Sequence, residues 1–229
     1  MTGEPEVVLP PEPETILDLF KPETRKVDEC FDCFTGEPES AVTEVFPKIF
    51  ADNRGWFTEA TKGNHSFIKQ SNMSCSRPGT VRGFHAQKGK FCQGKLVSAV
   101  NQKLFDVIAD ARPASVTFGT IKAYLLDPDR QNKLWVPRGF LHCFVVPTDA
   151  QSMAYFNYLC DNVYDKDSEI GMNPRTILQQ LTDYSDMLPD GFASLCRDPN
   201  LIYSEKDLSG LDYGSWMAEI QSAGKEWYR

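Results

Sequence analysis

Arg82-Gly83-Phe84-His85-Ala86-Gln87 is a short, strand-like run that sets a cation, an imidazole and an amide close together. The chain has three histidines, His65, His85 and His142. An imidazole base working near neutral pH therefore has few candidates. Around this run, residues 45 to about 158 read as many short strands separated by turn residues. Gly55, Gly63, Pro78-Gly79, Gly89, Gly94, Gly119, Asp127-Pro128 and Pro137-Arg138-Gly139 punctuate them. That spacing predicts an all-β sandwich or barrel.

Alternation within the strands has two readings. In residues 68–74, Gln70, Asn72 and Ser74 share a face, and in residues 152–157 Met153, Tyr155 and Asn157 share one. Polar residues on one face of a strand either meet solvent or line a polar pocket inside a barrel. Taken alone, the residues favour solvent. Arg82 and His85 differ by three positions, so strict alternation places them on opposite faces. A bulge at Gly83 is the expected means of bringing both to one side.

The flanks differ from this core. Residues 1–45 read as a loosely structured, Pro-rich extension broken at Pro10, Pro11 and Pro13, with a short apolar helix over Thr15 to Phe20. After about residue 165 the pattern is helical and irregular. Asn173 as N-cap and Pro174 at the first position predict a helix to Leu181. Leu211 to Tyr228 reads as another, weakened by Gly214 and Gly224. The expected organisation is an extension over 1–45, a core domain over 46–207 and a helical extension over 208–229.

Composition excludes several functions. A net charge of −8 without a basic stripe argues against nucleic-acid binding. No apolar run is long enough to span a membrane, and the acidic, Pro-rich start is unlike a signal peptide. Seven cysteines, mostly scattered singly, read as free thiols of a reducing cytoplasm. Cys30 and Cys33 form a lone CxxC, for which packing or surface placement outranks redox chemistry. The three histidines lie far apart with no His-x-His pair, so no metal is expected. Nucleophile-elbow, P-loop and dinucleotide glycine motifs are absent. Proton transfer remains. His85 is a candidate base, Tyr155 a candidate acid, and Lys95 or Arg82 a stabiliser of developing negative charge. Each residue singly is read more economically as a packed or solvated side chain.

Their joint order carries more weight. Phe50-Ala51-Asp52-Asn53-Arg54-Gly55-Trp56-Phe57-Thr58-Glu59, Gln70 to Ser74, Arg82 to Gln87, Gly94-Lys95-Leu96-Val97, Phe105 to Arg112, Ser115 to Gly119, Pro137 to Phe144 and Ser204-Glu205-Lys206-Asp207 follow one another along the chain. The series resembles the dTDP-4-dehydrorhamnose 3,5-epimerase family, nucleotide-sugar epimerases built on a cupin-like, jelly-roll β-barrel. The resemblance implies that His85 removes a proton beside a 4-keto group and that Asp207 pairs with it. Tyr155 would return a proton from the opposite face, and Lys95 would stabilise the enolate. Arg82 and Arg54 would hold the diphosphate, and Gln70, Asn72 and Glu59 the nucleotide or its linkage. Asp106 and His142 match further pocket positions, and His65 matches none. Arg54 and Glu59 lie on a segment that crosses to a neighbouring subunit in the family, which implies a homodimer with strand exchange. No cofactor is implied. A related 3,4-ketoisomerase and a non-catalytic nucleotide-sugar-binding barrel are the alternatives. The chain departs from the family pattern at Gln102, at Cys143 and over Gly171-Met172-Asn173-Pro174, which bears on the substrate and on which carbons are inverted.

Overall fold

The computed structural model describes residues 15–28, 41–63, 65–181, 188–224 and 227. Cys30 and Cys33 lie outside them. Two antiparallel sheets face each other. The first has the order β1-β2-β10-β7-β12-β5, from Arg25–Val27, Thr43–Val45, Lys133–Val136, Lys95–Ala99, Ala154–Cys160 and Gln70–Ser76. The second has the order β13-β6-β11-β8-β9, from Glu169–Gly171, Val81–Gln87, Phe140–Val145, Leu104–Asp110 and Ile121–Leu126. β3 (Ile49–Asp52) and β4 (Gly55–Thr58) form a separate hairpin. The architecture is the all-β, cupin-like jelly roll expected from the sequence.

Burial explains which residues form which layer. Val97, Leu134 and Phe156 from one sheet meet Leu104, Ile108 and Phe144 from the other in the barrel interior. The outer face of the second sheet presents Val81, Phe84, Phe105, Val107 and Leu141. These pack under α1 (Pro174–Leu181), α2 (Phe192–Cys196) and α4 (Tyr213–Ala223), through Ile177, Leu178, Phe192, Trp216 and Ile220, while α3 (Glu205–Leu208) lies against β6. β8 is buried along its whole length because both its faces are covered. A large apolar side chain fully buried in this way stabilises the fold by about 1.5–3 kcal/mol.

The described part of the first 45 residues is more ordered than the expected loose extension. Ile16, Leu17, Leu19 and Phe20 form a 3-10 turn segment that packs on Val45, Leu96 and Trp135. β1 and β2 extend the first sheet beyond β10. Contiguous apolar residues in the turn and the alternation Thr43-Glu44-Val45 give this segment something to bury. The two C-terminal helices form near their expected places. Asn173 Oδ1 accepts from the Arg175 backbone N–H at 3.0 Å. Asp212 caps α4, which ends at Gly224. Among the described residues no helix is long and apolar enough to cross a membrane.

Candidate active site

β6 departs from regular pleating at one point. His142 on β11 lies opposite His85, and Phe144 lies opposite Arg82, so Gly83 and Phe84 together oppose Cys143. This bulge turns Arg82 and His85 to the barrel interior and leaves Val81, Phe84 and Ala86 against the helices. Gly83 has φ +119°, and a Cβ there would sit 2.5 Å from the His142 carbonyl oxygen and 2.6 Å from Cys143 Cα. Glycine is required by both backbone and space.

The interior opens into a cavity of 640 Å³. Arg82, His85 and His142 line it from the second sheet, Ser74, Lys95 and Tyr158 from the first, and Lys206 and Asp207 from α3. His85 Nε2 lies 2.7 Å from Asp207 Oδ1. Ser204 caps α3 by accepting from the Asp207 backbone N–H at 3.0 Å, which fixes the carboxylate's approach. Burial acts to raise the Asp207 pKa, but the His85 hydrogen bond and charge, with Ser204 and Lys206, outweigh it. The carboxyl therefore stays below its ordinary range. Lys206 in turn pairs with Glu169, which also accepts from Tyr164 Oη at 2.6 Å.

A second imidazole–carboxylate pair lies deeper. His142 Nε2 is 2.7 Å from Asp106 Oδ2, and Asp106 is fully buried. Ser74 Oγ and Asp106 Oδ1 have no hydrogen-bond partner among the described residues, so the interior retains polar capacity for a ligand. Lys95 stands on the wall with its pKa pulled below the ordinary lysine value by desolvation. Arg82 donates to Ser76 Oγ at 3.0 Å.

Apart from Tyr155, the expected site residues divide into three groups. His85, Lys95, Asp207, Arg82 and His142 share one cavity, with Asp106 behind His142. Gln70 and Asn72 lie further along β5, tied to each other at 2.9 Å, on its less exposed face. That face turns away from solvent, contrary to the economical reading of the strand alone. Arg54 and Glu59 lie at the exposed hairpin, engaged with Asp52 and Lys62, away from this cavity.

Tyr155 is not in the site. It is 41% exposed, outside the lining, and hydrogen-bonded to Cys75 across the β12–β5 pair. β12 buries Ala154 and Phe156, so the residue of the same parity that meets the cavity is Tyr158. Sequence reading missed Tyr158 because the parity of β12 was taken from Met153 and Asn157 rather than from its apolar members. Burial, with Cys160 nearby, pushes the Tyr158 phenol up, and Arg82 opposes this. Lys206 was also missed, although it stands beside Asp207 in the Ser204–Asp207 segment. Among the described residues no group of three or more His, Cys, Asp or Glu side chains is placed to hold a metal ion.

Known proteins show the same arrangement of sequence and fold. The family described as dTDP-4-dehydrorhamnose 3,5-epimerase matches residues 40–212. The dTDP-4-dehydrorhamnose 3,5-epimerase of Escherichia coli K12 is 38% identical over 135 residues, 55% of this chain and 71% of the relative. The Mycolicibacterium smegmatis enzyme is 31% identical over 189 residues, 79% and 84% of the two chains. The crystal structure of the Elizabethkingia anophelis NUHP1 enzyme superposes with a TM-score of 0.63 at 31% identity, covering 84% of this chain and 98% of that one. The Legionella pneumophila epimerase, solved with dTDP-4-keto-L-rhamnose, gives 0.62 at 27% identity, covering 86% and 96%. With the His85–Asp207 pair, Lys95 and the bulged β6 in one barrel, the chain belongs to the dTDP-4-dehydrorhamnose 3,5-epimerase family of nucleotide-sugar isomerases.

Proposed function

We propose that this enzyme inverts C3, C5 or both of a dTDP-linked 4-keto-6-deoxy sugar by removing and returning protons beside the ketone. The observation that carries the reading is the placement of an imidazole–carboxylate pair on one wall of the cavity and an ammonium and a phenol on the facing sheet. A C–H next to a ketone is a weak acid, so a base needs a partner that stabilises the enolate. A well-placed donor is worth roughly 3–4 kcal/mol. His85, held by Asp207, takes the proton. Lys95 faces the developing oxyanion, and its desolvation strengthens that interaction while making the ammonium easier to lose.

Inversion requires a proton source on the other face of the sugar. Tyr158 takes the role that the sequence gave to Tyr155, since it reaches the cavity from β12 opposite His85. Its phenol, pushed above the ordinary tyrosine value by burial, is protonated at neutral pH, as an acid requires. Arg82 and Lys206 supply charge-assisted donors for the diphosphate at the same cavity.

Arg54 and Glu59 serve a second copy of the chain in this reading. Their hairpin exposes Phe50, Trp56 and Phe57, an apolar surface that suits a partner subunit. The working form is then a homodimer with strand exchange. Cys75, Cys92, Cys143, Cys160 and Cys196 are free thiols, which suits a cytoplasmic enzyme.

Incubating the enzyme with dTDP-4-keto-6-deoxyglucose in D₂O and reading the sugar by NMR tests the reaction. Deuterium enters at C3, C5 or both, and the product has inverted configuration there. Absence of exchange at both carbons rejects the reading, and migration of the keto group would assign a ketoisomerase instead.

A further inference from the structure

We propose, on the dTDP-sugar reading above, that Arg77 is a substrate-binding residue that joins Arg82 on the diphosphate at the mouth of the active cavity. Ser76 ends β5 in the first sheet, and Val81 begins β6 in the second. The turn between them crosses from one sheet to the other. Arg77 stands where the chain leaves the first sheet, Arg82 where it enters the second, and both line the 640 Å³ cavity from exposed positions.

The backbone between them is pinned. The Thr80 N–H donates to the Arg77 carbonyl and the Gly79 N–H to the Val146 carbonyl, each at 3.1 Å. The Ile202 N–H donates to the Gly79 carbonyl at 2.8 Å, and the Val81 N–H to the Ile202 carbonyl at 2.9 Å. Gly79 has φ +79°, and a Cβ there would lie 2.8 Å from the Asn200 carbonyl oxygen, so the turn requires glycine. Donors carried on backbone held in this way lose less freedom when they close on a ligand.

The guanidinium groups are uncommitted. Arg82 donates from Nε to Ser76 Oγ at 3.0 Å, which orients it and leaves its two terminal nitrogens without a partner among the described residues. Arg77 makes no side-chain hydrogen bond or ion pair among the described residues. Lys206 differs, being paired with Glu169. Among the described residues the lining sets Arg77, Arg82, Lys95 and Lys206 against one carboxylate, Asp207, and His85 holds that carboxylate. A chain of net charge −8 thus keeps two unneutralised guanidinium groups at one opening. Two planar forks match the oxygens of a diphosphate, and each charge-assisted bond there is roughly twice as strong as a neutral one. Solvation accounts for the exposure of Arg77 but not for the surplus of positive charge around the cavity.

Titration calorimetry of dTDP and, separately, of inorganic pyrophosphate into the full chain tests this role. Arg77→Ala should weaken both by about tenfold, and Arg77→Lys should recover part of the loss. In steady-state kinetics KM should rise by a similar factor while kcat changes far less, because Arg77 grips the diphosphate and not the reacting carbons. The thermal unfolding midpoint should stay in place, since the side chain is exposed and unpartnered. Undiminished dTDP binding by Arg77→Ala overturns the proposal. So does a loss confined to dTDP with pyrophosphate binding intact, which places Arg77 on the nucleoside. Failure of the unaltered chain to bind either probe overturns it as well. If Arg77→Ala loses both probes but the unaltered chain exchanges no deuterium into the sugar, the diphosphate grip stands and the proposed reaction falls.

Discussion

His85 Nε2 and Asp207 Oδ1 lie 2.7 Å apart although 122 residues separate them. One is on a strand of the barrel and the other on a one-turn helix that closes over it. The carboxylate fixes the ring's orientation and tautomer and stabilises the imidazolium formed when the base takes a proton. Asp207→Asn keeps the shape but removes the charge and permits the wrong tautomer. Deuterium exchange into the sugar should fall by about 10²- to 10⁴-fold while dTDP binding is retained. Exchange at the unaltered rate would remove Asp207 from the mechanism. The pairing also has a stability consequence. The Asp207 pKa is held below its ordinary value of 3.8. Its contribution is fully present above that value and is lost as the pH falls through the lower folded one. In acid unfolding, Asp207→Asn should therefore show a shallower loss of stability below about pH 4 than the unaltered chain.

Lys95 predicts the basic limb of the activity profile. Desolvation lowers its pKa from 10.5, and the enolate needs the charged form. Activity should decline as the pH rises through this lowered value, earlier than for a solvated lysine. Lys95→Ala should reduce kcat by roughly 10²- to 10³-fold and abolish that limb, since one oxyanion donor is removed. A basic limb that persists in Lys95→Ala would assign the titration to another group.

The two tyrosines of β12 separate by experiment. Tyr158→Phe leaves His85 in place, so proton removal and exchange from one face should survive while inversion at the carbon Tyr158 serves is lost. Tyr155→Phe, on the outer face, should leave exchange and inversion near the unaltered values. NMR of product configuration alongside deuterium content distinguishes them. Loss of inversion in Tyr155→Phe with Tyr158→Phe active would reverse the assignment.

Gly83 joins fold and site. Its positive φ and the contacts a Cβ would make at 2.5 and 2.6 Å leave no room for a side chain. Gly83→Ala should destabilise the chain by about 1–3 kcal/mol from backbone strain, with overpacking adding to it. Thermal unfolding measures the loss. Because the bulge turns Arg82 and His85 to one side, residual folded protein should also lose activity. An unchanged unfolding midpoint would contradict the bulge.

Legibility from sequence followed the range of the interaction concerned. Strand and turn chemistry is local, so the barrel, the Asn173 cap and the bulge at Gly83 were readable from a few neighbouring residues. That His85, Lys95 and Asp207 would share one cavity was readable through the order of motifs in a known family, although nothing local to Asp207 indicates a histidine 122 positions away. The facing of β12 was not readable. It depends on pairing Tyr158 with Asn72 and Phe156 with Ser74, and a one-residue error in parity exchanges Tyr155 for Tyr158. The short helix near Thr15 was readable from its own apolar residues, but its docking was not, because Ile16, Leu17, Leu19 and Phe20 find their partners on strands far along the chain.

The hairpin β3–β4 tests whether a second copy completes the site. Phe50 and Phe57 pack on each other with ring centroids 6.2 Å apart, yet Phe57 is 63% exposed and Trp56 49%. Two strands with aromatic surfaces in solvent are marginal alone and gain stability by burial against another surface. Arg54, its side chain 85% exposed, sits at the hairpin's turn. If the hairpin reaches a partner's cavity, Phe57→Asp should place a desolvated charge in the interface and shift the protein to monomer. KM should rise as Arg54 and Glu59 leave the nucleotide, with the His85–Asp207 pair intact. Arg54→Ala should raise KM and leave the dimer in place. Light scattering coupled to gel filtration, run beside steady-state kinetics, reads both effects. A Phe57→Asp protein with unchanged mass and unchanged KM would confine the hairpin to its own subunit's surface.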